Sequence, residues 1–513
     1  MQDSRFNAAL SRVEWTVAWR LLLLFCLFYI YELANFNITI DDEEIAQSGI
    51  CVFADLGRWV SPLLRATLWP QVVAPSGPLL LFGCAFALSF IYIARLFDVE
   101  RFGLFHYAAF AAYAMFPVWF AQIEFAGNVL PAAIGVLAVA YAALLTIDPS
   151  GPVATRRSGW ARAGRLAGDV ICCSVAIGAY QSLGLMYLAL VAGAALAAGV
   201  QEPRPAWAAL ARLAARALLT LALGFALSLL IGRLVMQACH VVPSPYGISD
   251  LHFGEALRHP LRALGLGAHE IGRLYFSFWH PVGRQVGWTY LTTVALCCVA
   301  IVGLAARGAR WRTGGVLLVL LMIPAGLSVA GDNAMSGRTF FAGCAVLLGL
   351  LLTAHRLCRS APQRRALLVL ALLCAMQGLY VNSVQQARGW VITRHDQALA
   401  GAIGVEIMRL QGAEDSGPIY VNFRGPYVVR SGYPLIKGST ATGRSFFEWF
   451  GGARIVPYMN LLGYDRLRVY PEEPPGAFDQ AYAQMPVWPA PGAIKRFGQG
   501  YLVKLSGPPA AAK

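Results

Sequence analysis

The chain has 513 residues, of which 58% are hydrophobic and only 13% are charged. Soluble proteins carry about 25% charged residues, and a soluble fold of this composition would expose large apolar patches. Because several uncharged stretches reach the roughly 20 residues that cross a bilayer, the composition predicts a multi-pass membrane protein and excludes a soluble enzyme. The net charge of +14 comes largely from arginines in short loops between apolar segments, so no nucleic-acid partner is expected.

Apolar segments predict about eleven transmembrane helices. In chain order they cover 17–34, 78–94, 103–120, 128–147, 167–180, 183–200, 217–237, 287–306, 314–331, 339–355 and 366–383. The stretch 167–200 is short for two crossings, and arginines flank both of its ends. We therefore expect a tight hairpin that turns back near residues 179–182.

The distribution of Lys and Arg predicts the orientation of the chain. Nineteen of the 41 basic residues fall in the N-terminal segment and the loops on its side, whereas eight fall in the opposite loops. Since basic residues collect in cytoplasmic loops, we expect a cytoplasmic N-terminus and an external C-terminus. The first apolar run has no small-residue cleavage site, so it is interpreted as an uncleaved anchor.

Two predicted domains follow from this pattern. Residues 1–383 form an α-helical polytopic membrane domain, with a first outer loop at 35–77 and a second at 238–286. The second loop has Leu, Phe and Tyr at helical spacing with Arg and His between them, which indicates helices in the membrane interface, in contact with lipids. Residues 384–513 are polar enough to fold in water and predict a small C-terminal α+β domain.

Within this C-terminal domain, we predict a helix near 397–411 and strands at 418–423 and 501–505. The eleven cysteines show no metal-type spacing. A bridge between Cys51 and Cys239 is possible, because both lie on the predicted outer side.

The densest acidic cluster is Asp41-Asp42-Glu43-Glu44, a few residues beyond the outer end of the first predicted span. Adjacent carboxylates repel one another, so at least one should have a raised pKa unless cations neutralise the group. A carboxylate of this kind at the membrane surface suits a general base that takes a proton from an acceptor hydroxyl. The alternative is a solvated acidic loop that keeps the segment outside the bilayer.

The motif Gly57-Arg58-Trp59 follows in the same loop. Arg58 can grip a phosphate through its planar guanidinium. Trp59 can stack on a sugar face or anchor the loop at the membrane interface.

The order of a first span, an outer loop with Asp-Asp-Glu, then Gly-Arg-Trp and a short helical stretch resembles the Gtr type-II glucosyltransferases. These bacterial inner-membrane enzymes modify O-antigen and belong to the wider GT-C class, and the resemblance covers roughly residues 15–385. It implies inverting transfer of a sugar, usually glucose, from a polyprenyl-phosphate carrier to a periplasmic glycan. The family's acidic pair falls on Asp41 and Asp42 or on Asp42 and Glu43.

Other polar residues suit such a site. Candidate substrate-binding residues besides Trp59 are Gln122, Glu124, Tyr180, Gln181 and His252, since polar side chains at membrane depth usually face a cavity or the bundle interior. Ordinary solvation of helix turns is the alternative for Glu124 and Gln181.

Arginines besides Arg58 could bind the donor phosphate. Arg338 follows a short polar loop, which resembles the phosphate-binding position of the family. Arg233 lies within an apolar run near its outer end, where it either binds phosphate or snorkels to the interface. Because arginine can stabilise a departing phosphate, no cofactor and no divalent metal are expected.

The sequence thus favours a membrane glycosyltransferase whose partners are a polyprenyl-phosphate sugar, a periplasmic glycan and membrane lipids. Transfer of mannose, arabinose or aminoarabinose stays open, as does a polysaccharide polymerase or ligase. A flippase or transporter of lipid-linked glycans is the alternative from another class. It would require charged residues at mid-bilayer in several spans, and here the spans are largely uncharged.

Overall fold

A computed structural model describes residues 10–35, 37–68, 76–147, 159–200, 207–244, 253–277, 284–305, 310–331, 339–412, 417–429, 445–449, 452–471, 476 and 478–507. The chain divides into two compact units. The first comprises 1–36 and 50–382, and the second comprises 37–49 and 383–513. The segment 37–49, which contains the acidic run, therefore belongs to the same unit as the C-terminal region.

The fold is mostly helical. In chain order the α-helices are α1 (Arg12–Phe28), α2 (Ile30–Ala34), α3 (Asp42–Gln47), α4 (Val60–Thr67), α5 (Gly77–Leu96), α6 (Leu104–Ala114), α7 (Pro117–Ile123), α8 (Ala126–Thr146), α9 (Gly159–Ala179), α10 (Leu183–Gly199), α11 (Trp207–Ala238), α12 (Phe253–Arg258), α13 (Pro260–Gly272), α14 (Arg284–Leu304), α15 (Arg310–Met322), α16 (Gly326–Gly331), α17 (Phe341–Leu357), α18 (Ala361–Gln411), α19 (Phe446–Trp449), α20 (Gly452–Leu461) and α21 (Asp479–Gln484). A π-helical turn covers Arg273–Ser277, and a 3-10 turn covers Ile323–Ala325.

Helices cover each of the eleven segments predicted to span the membrane. Within the described residues, six helices are long and apolar enough to cross a bilayer. They are Gly77–Leu96, Ala126–Thr146, Trp207–Ala238, Gly287–Leu304, Arg310–Val329 and Ala361–Gln411. The count rises to seven if α6 and α7, which meet at a 52° bend, form one broken span. The protein thus has the helices of a membrane protein, but the predicted count of about eleven spans is not confirmed.

The predicted hairpin is confirmed as a local structure, since α9 ends at Ala179 and α10 begins at Leu183. Residues 180–182 form the turn between the two helices. α12 and α13 confirm that the loop 238–286 contains helices.

The core of the first unit is built around packed aromatic rings. Trp119 meets Phe86 edge-on at a centroid distance of 4.6 Å, and Tyr113 stacks on Phe86 at 5.1 Å. All three side chains are fully buried. This packing joins α5, α6 and α7.

The second unit contains a four-stranded sheet. Its strands are β1 (Ile419–Arg424), β2 (Leu467–Val469), β3 (Ile494–Phe497) and β4 (Gly500–Lys504), in the spatial order β2-β1-β4-β3. β1 pairs in parallel with β2 and β4, whereas β3 pairs antiparallel with β4. The two predicted strands correspond to β1 and β4 and are confirmed.

The helix predicted near 397–411 is the end of α18 and not a separate element. Residues 363–417 contain no proline, and proline is the residue that most strongly ends a helix. The helix therefore continues from the apolar segment into the second unit, where Ile403 and Ile407 are buried in the core beside β1.

Candidate active site

In the second unit, three carboxylates of the acidic run converge on one arginine of α20. Nη1 of Arg454 lies 2.6 Å from Glu43 Oε1 and 3.0 Å from Glu44 Oε2. Nη2 of the same guanidinium donates to Asp41 Oδ1 at 3.1 Å. The run is therefore an ion-pair cluster, in which one arginine offsets part of the negative charge of three carboxylates.

Asp42 has a different role from its neighbours in this cluster. Its side chain is fully buried, and its Oδ2 accepts hydrogen bonds from the backbone N and the hydroxyl of Thr39, at 3.1 and 3.0 Å. Asp42 thus fixes the chain as it enters α3.

Asp41 is the helix N-cap residue, yet its carboxylate makes no capping hydrogen bond. Aspartate at this position normally accepts a bond from a helical N–H. Its backbone is left-handed, with φ of 78°, and its side chain is directed to Arg454. The Asp41 side chain is 26% exposed, whereas that of Glu43 is fully buried. Asp41 is therefore the more accessible of these two carboxylates.

Burial raises the pKa of Glu43, although the hydrogen bond and charge of Arg454 act in the opposite direction. Glu43 Oε1 bonds Arg454, while its buried Oε2 has no hydrogen-bond partner among the described residues. An unpartnered buried carboxylate oxygen is costly, and perturbed carboxyl groups of this kind cluster at functional sites.

In the first unit, the loop that carries Gly57-Arg58-Trp59 packs against the tip of the α9–α10 hairpin. The guanidinium of Arg58 lies over the Tyr180 ring at 4.4 Å and near the Phe53 ring at 5.5 Å. Nε2 of Gln181 donates to Leu56 O at 2.8 Å. Three of the predicted site residues, Arg58, Tyr180 and Gln181, are thus brought together.

Trp59 is a packing residue in this structure. Its indole is 6% exposed and donates to Ser228 Oγ of α11. The ring lies against Gly178, where a Cβ would overlap it. Its predicted contact with substrate stays a prediction.

The loop around Arg58 is also fixed covalently, because Cys51 and Cys239 form a disulfide. The possible bridge of the sequence analysis is therefore present in the structure. Further along, the backbone N of Ser244 donates to Asp55 O at 3.0 Å. The first loop is thus tied to the residues that follow α11.

The remaining predicted residues lie at several places in the first unit. Gln122 is buried at the end of α7, and its Nε2 has no hydrogen-bond partner among the described residues. Glu124 is partly buried at the C-cap of the same helix, and Arg233 is exposed on α11. Arg338 and His252 lie outside the described residues, so their predicted roles stay predictions.

The sequence model of the family described as glucosyl transferase GtrII matches residues 30–353. This match covers more than half of the chain and includes the acidic run, Arg58 and the hairpin. The chain belongs to the GtrII glucosyl transferase family. The resemblance to the Gtr type-II glucosyltransferases is therefore confirmed, and the family supports a membrane glycosyltransferase. No curated protein and no solved structure matches the chain significantly.

Arg454 was missed by sequence reasoning and lies 101 positions beyond the end of the GtrII match at residue 353. It follows Gly451-Gly452-Ala453, a context with no recognisable functional motif. The sequence indicated only that a cation could neutralise the four adjacent carboxylates, and it did not indicate which residue supplies that cation. Among the described residues of this GtrII chain, no three His, Cys, Asp or Glu side chains are grouped to hold a metal ion.

Proposed function

We propose that this GtrII-family chain transfers a glucosyl group from a polyprenyl-phosphate carrier to a periplasmic glycan such as an O-antigen, with inversion at the anomeric carbon. The observation that carries the proposal is the convergence of the acidic run on Arg454, in a chain whose family is a glucosyl transferase family. An ordered carboxylate cluster at this position supports a catalytic role over a solvated loop.

In the proposed reaction, a hydroxyl oxygen of the acceptor attacks the anomeric carbon of the donor sugar. The bond between that carbon and the phosphate oxygen breaks, and the polyprenyl phosphate leaves with the electron pair. Asp41 takes the hydroxyl proton. Its exposure, its unused capping position and its fixed backbone support this assignment, and a positioned base contributes about 10²–10⁴-fold to a rate.

Glu43 and Asp42 then serve to hold the base. Glu43 is buried and binds the guanidinium of Arg454, while Asp42 secures the backbone through Thr39. This division is our proposal for the register that the sequence left open.

Arg58 is proposed to bind the donor phosphate, together with Arg233 and Arg338. The rings of Tyr180 and Phe53 hold the Arg58 guanidinium, and a preorganised cation at a departing phosphate lowers the barrier without a metal. Gln122, Glu124, Tyr180 and Gln181 are proposed to contact the sugars, with His252 on the acceptor side.

We place the enzyme in the bacterial inner membrane, with its N-terminus in the cytoplasm and its C-terminal domain in the periplasm. The disulfide between Cys51 and Cys239 supports a periplasmic location for the loops that carry it, because disulfides persist in oxidising compartments.

The direct test is a transfer assay with purified protein in lipid nanodiscs, radiolabelled polyprenyl-phosphate glucose and lipopolysaccharide as acceptor. We expect glucose transfer, and Asp41→Asn should lower kcat by about 100-fold or more. The control is Glu406→Gln, which removes an exposed carboxylate of the same unit paired with Arg409 and should leave kcat unchanged.

Three results would contradict the proposal in whole or in part. Absence of transfer in nanodiscs, together with movement of the lipid-linked sugar across the bilayer of sealed proteoliposomes that contain the protein, would favour the flippase. Full activity of Asp41→Asn would exclude Asp41 as the base. Transfer from a mannosyl or arabinosyl donor, but not from the glucosyl donor, would keep the class and change the sugar.

A further inference from the structure

The acidic run is part of the C-terminal unit by packing as well as by charge. Ile40, directly before the run, is buried in the core of that unit. Gln47, at the end of α3, donates through Nε2 to Pro457 O at 2.9 Å. Arg454 of the same helix, α20, pairs with the run itself. Residues far beyond the GtrII match thus hold residues within it.

The guanidinium of Arg454 suits this task because its N–H groups are arranged in a rigid planar fork. Nη1 of the guanidinium contacts Glu43 and Glu44, and Nη2 contacts Asp41. The Arg454 side chain is 23% exposed, so the ion pairs are partly shielded from water and are stronger than exposed ones. A lysine would supply the charge but not the two-ended contact.

The charge balance around the proposed base shows why a cation is needed. The charged groups that face it are Arg454 from α20 and, from the run itself, Glu43 and Glu44. Without Arg454, Asp41 would have only the like charges of Glu43 and Glu44 beside it, and their repulsion would displace its carboxylate. A displaced carboxylate would be poorly placed to take the proton of the acceptor hydroxyl.

We propose that Arg454 is a positioning residue of the transfer reaction, through which the C-terminal unit orients the Asp41 carboxylate. This inference rests on the proposed function, because it assumes that Asp41 is the base. It assigns a catalytic purpose to the part of the chain beyond the GtrII match.

The test compares Arg454→Gln, Arg454→Lys and the wild type in the glucose-transfer assay. For Arg454→Gln we expect kcat to fall about 10-fold or more, with KM for the donor within about 2-fold. Arg454→Lys should recover kcat only in part, because a lysine supplies the charge without the planar fork that contacts Asp41 and Glu43 together.

The matched control is Arg409→Gln, which removes an arginine from an exposed ion pair in the same unit. Thermal unfolding is measured for each variant, so that kcat refers to folded protein. If Arg454→Gln does not fold, Arg454→Lys alone decides, since wild-type kcat in that variant would overturn the need for the two-ended contact. A loss of activity that is fully explained by a smaller folded fraction, with kcat per folded molecule unchanged, would show a structural role only and would overturn the inference.

The same assay tests the role of Asp41 as the base separately from the role of Arg454. If Asp41→Asn is fully active, the proposed base is wrong, whatever Arg454 does. If Asp41→Asn is inactive and Arg454→Gln has wild-type kcat, the base stands and the role of Arg454 is wrong.

Discussion

The indole Nε1 of Trp59 donates a 3.0 Å hydrogen bond to Ser228 Oγ, which lies 169 positions further along the chain. The same ring covers Gly178 of α9. One aromatic side chain therefore fixes the end of the first loop against α9 and α11. Because Arg58 directly precedes Trp59, this contact also fixes the backbone from which the Arg58 side chain extends.

Gly178→Ala should destabilise the protein, because a Cβ at this position would overlap the Trp59 ring. Overpacking of this kind costs about 1–3 kcal/mol, so the midpoint of thermal unfolding in detergent should fall. The control is Gly164→Ala in the same helix, where nothing lies within 4 Å of the new methyl group. That variant should be equally or more stable than the wild type, since alanine is favoured over glycine in helices by up to about 1 kcal/mol. Equal midpoints for the two variants would contradict the packing argument.

The positions of the membrane helices could be predicted because an apolar run of sufficient length has few other stable states in a membrane protein. The turn at residues 180–182 could be predicted from charge, since arginines flank both ends of the stretch 167–200. Strands β1 and β4 were predictable from their β-branched and aromatic residues. The number of spans was not, because length and hydropathy do not decide whether α10 or α17 crosses the bilayer.

The sequence could predict Asp41 and Arg58 as candidate site residues but not Arg454. Asp41 stands out because it belongs to a run of four adjacent carboxylates, and Arg58 because it stands beside Trp59 in the same loop. Arg454 does not stand out, because an arginine in a polar helix is ordinary, and its contact with Glu43 spans 411 positions. A pairing over such a distance is set by the tertiary fold, and local sequence patterns carry no record of it.

Asp169 joins four helices through buried hydroxyl groups. Its Oδ2 accepts from Thr146 Oγ1 at 2.5 Å and from Thr220 Oγ1 at 3.2 Å, and the Tyr187 hydroxyl lies 2.6 Å from that of Thr146. Asp169→Leu would leave the hydroxyls of Thr146 and Thr220 without this acceptor. We expect a loss of stability of about 1–3 kcal/mol, measured by thermal unfolding, and a smaller loss for Asp169→Asn, which keeps an acceptor oxygen.

Asp98→Asn is the control for Asp169. Asp98 pairs with Arg356 but its side chain is 40% exposed, and exposed pairs contribute about 0–1 kcal/mol. An effect of Asp169→Leu no larger than that of Asp98→Asn would show that the hydroxyl network contributes little.

The disulfide between Cys51 and Cys239 closes a loop of 188 positions. Replacing both cysteines by serine should lower the free energy of unfolding by about 2–4 kcal/mol. Peptide mapping without reductant should recover the two cysteines in one cross-linked peptide. Cys84→Ser, at a free cysteine, is the control and should unfold at nearly the wild-type temperature. Alkylation of both Cys51 and Cys239 in unreduced, denatured wild-type protein would contradict the bridge.

Glu43 should make stability depend on pH in a direction opposite to that of an ordinary ion-paired carboxylate. Burial raises its pKa in the folded protein, with Arg454 offsetting part of the effect, whereas in the unfolded chain the pKa is about 4.3. The folded state therefore holds the proton more tightly. The contribution to stability is fully present below the unfolded pKa and is lost as the pH rises through the folded one.

Glu43→Gln keeps this side chain neutral, so it should flatten the fall in stability above about pH 4.3. Thermal unfolding of the wild type and the variant, measured between about pH 4 and 8, gives the comparison. Glu406→Gln is the matched control, because the hydrogen bond from Arg409 lowers the pKa of Glu406, which gives the opposite sign. A wild-type pH profile in Glu43→Gln would show that Glu43 binds protons equally in the folded and unfolded chains, and would remove the energetic evidence that this carboxyl group is perturbed.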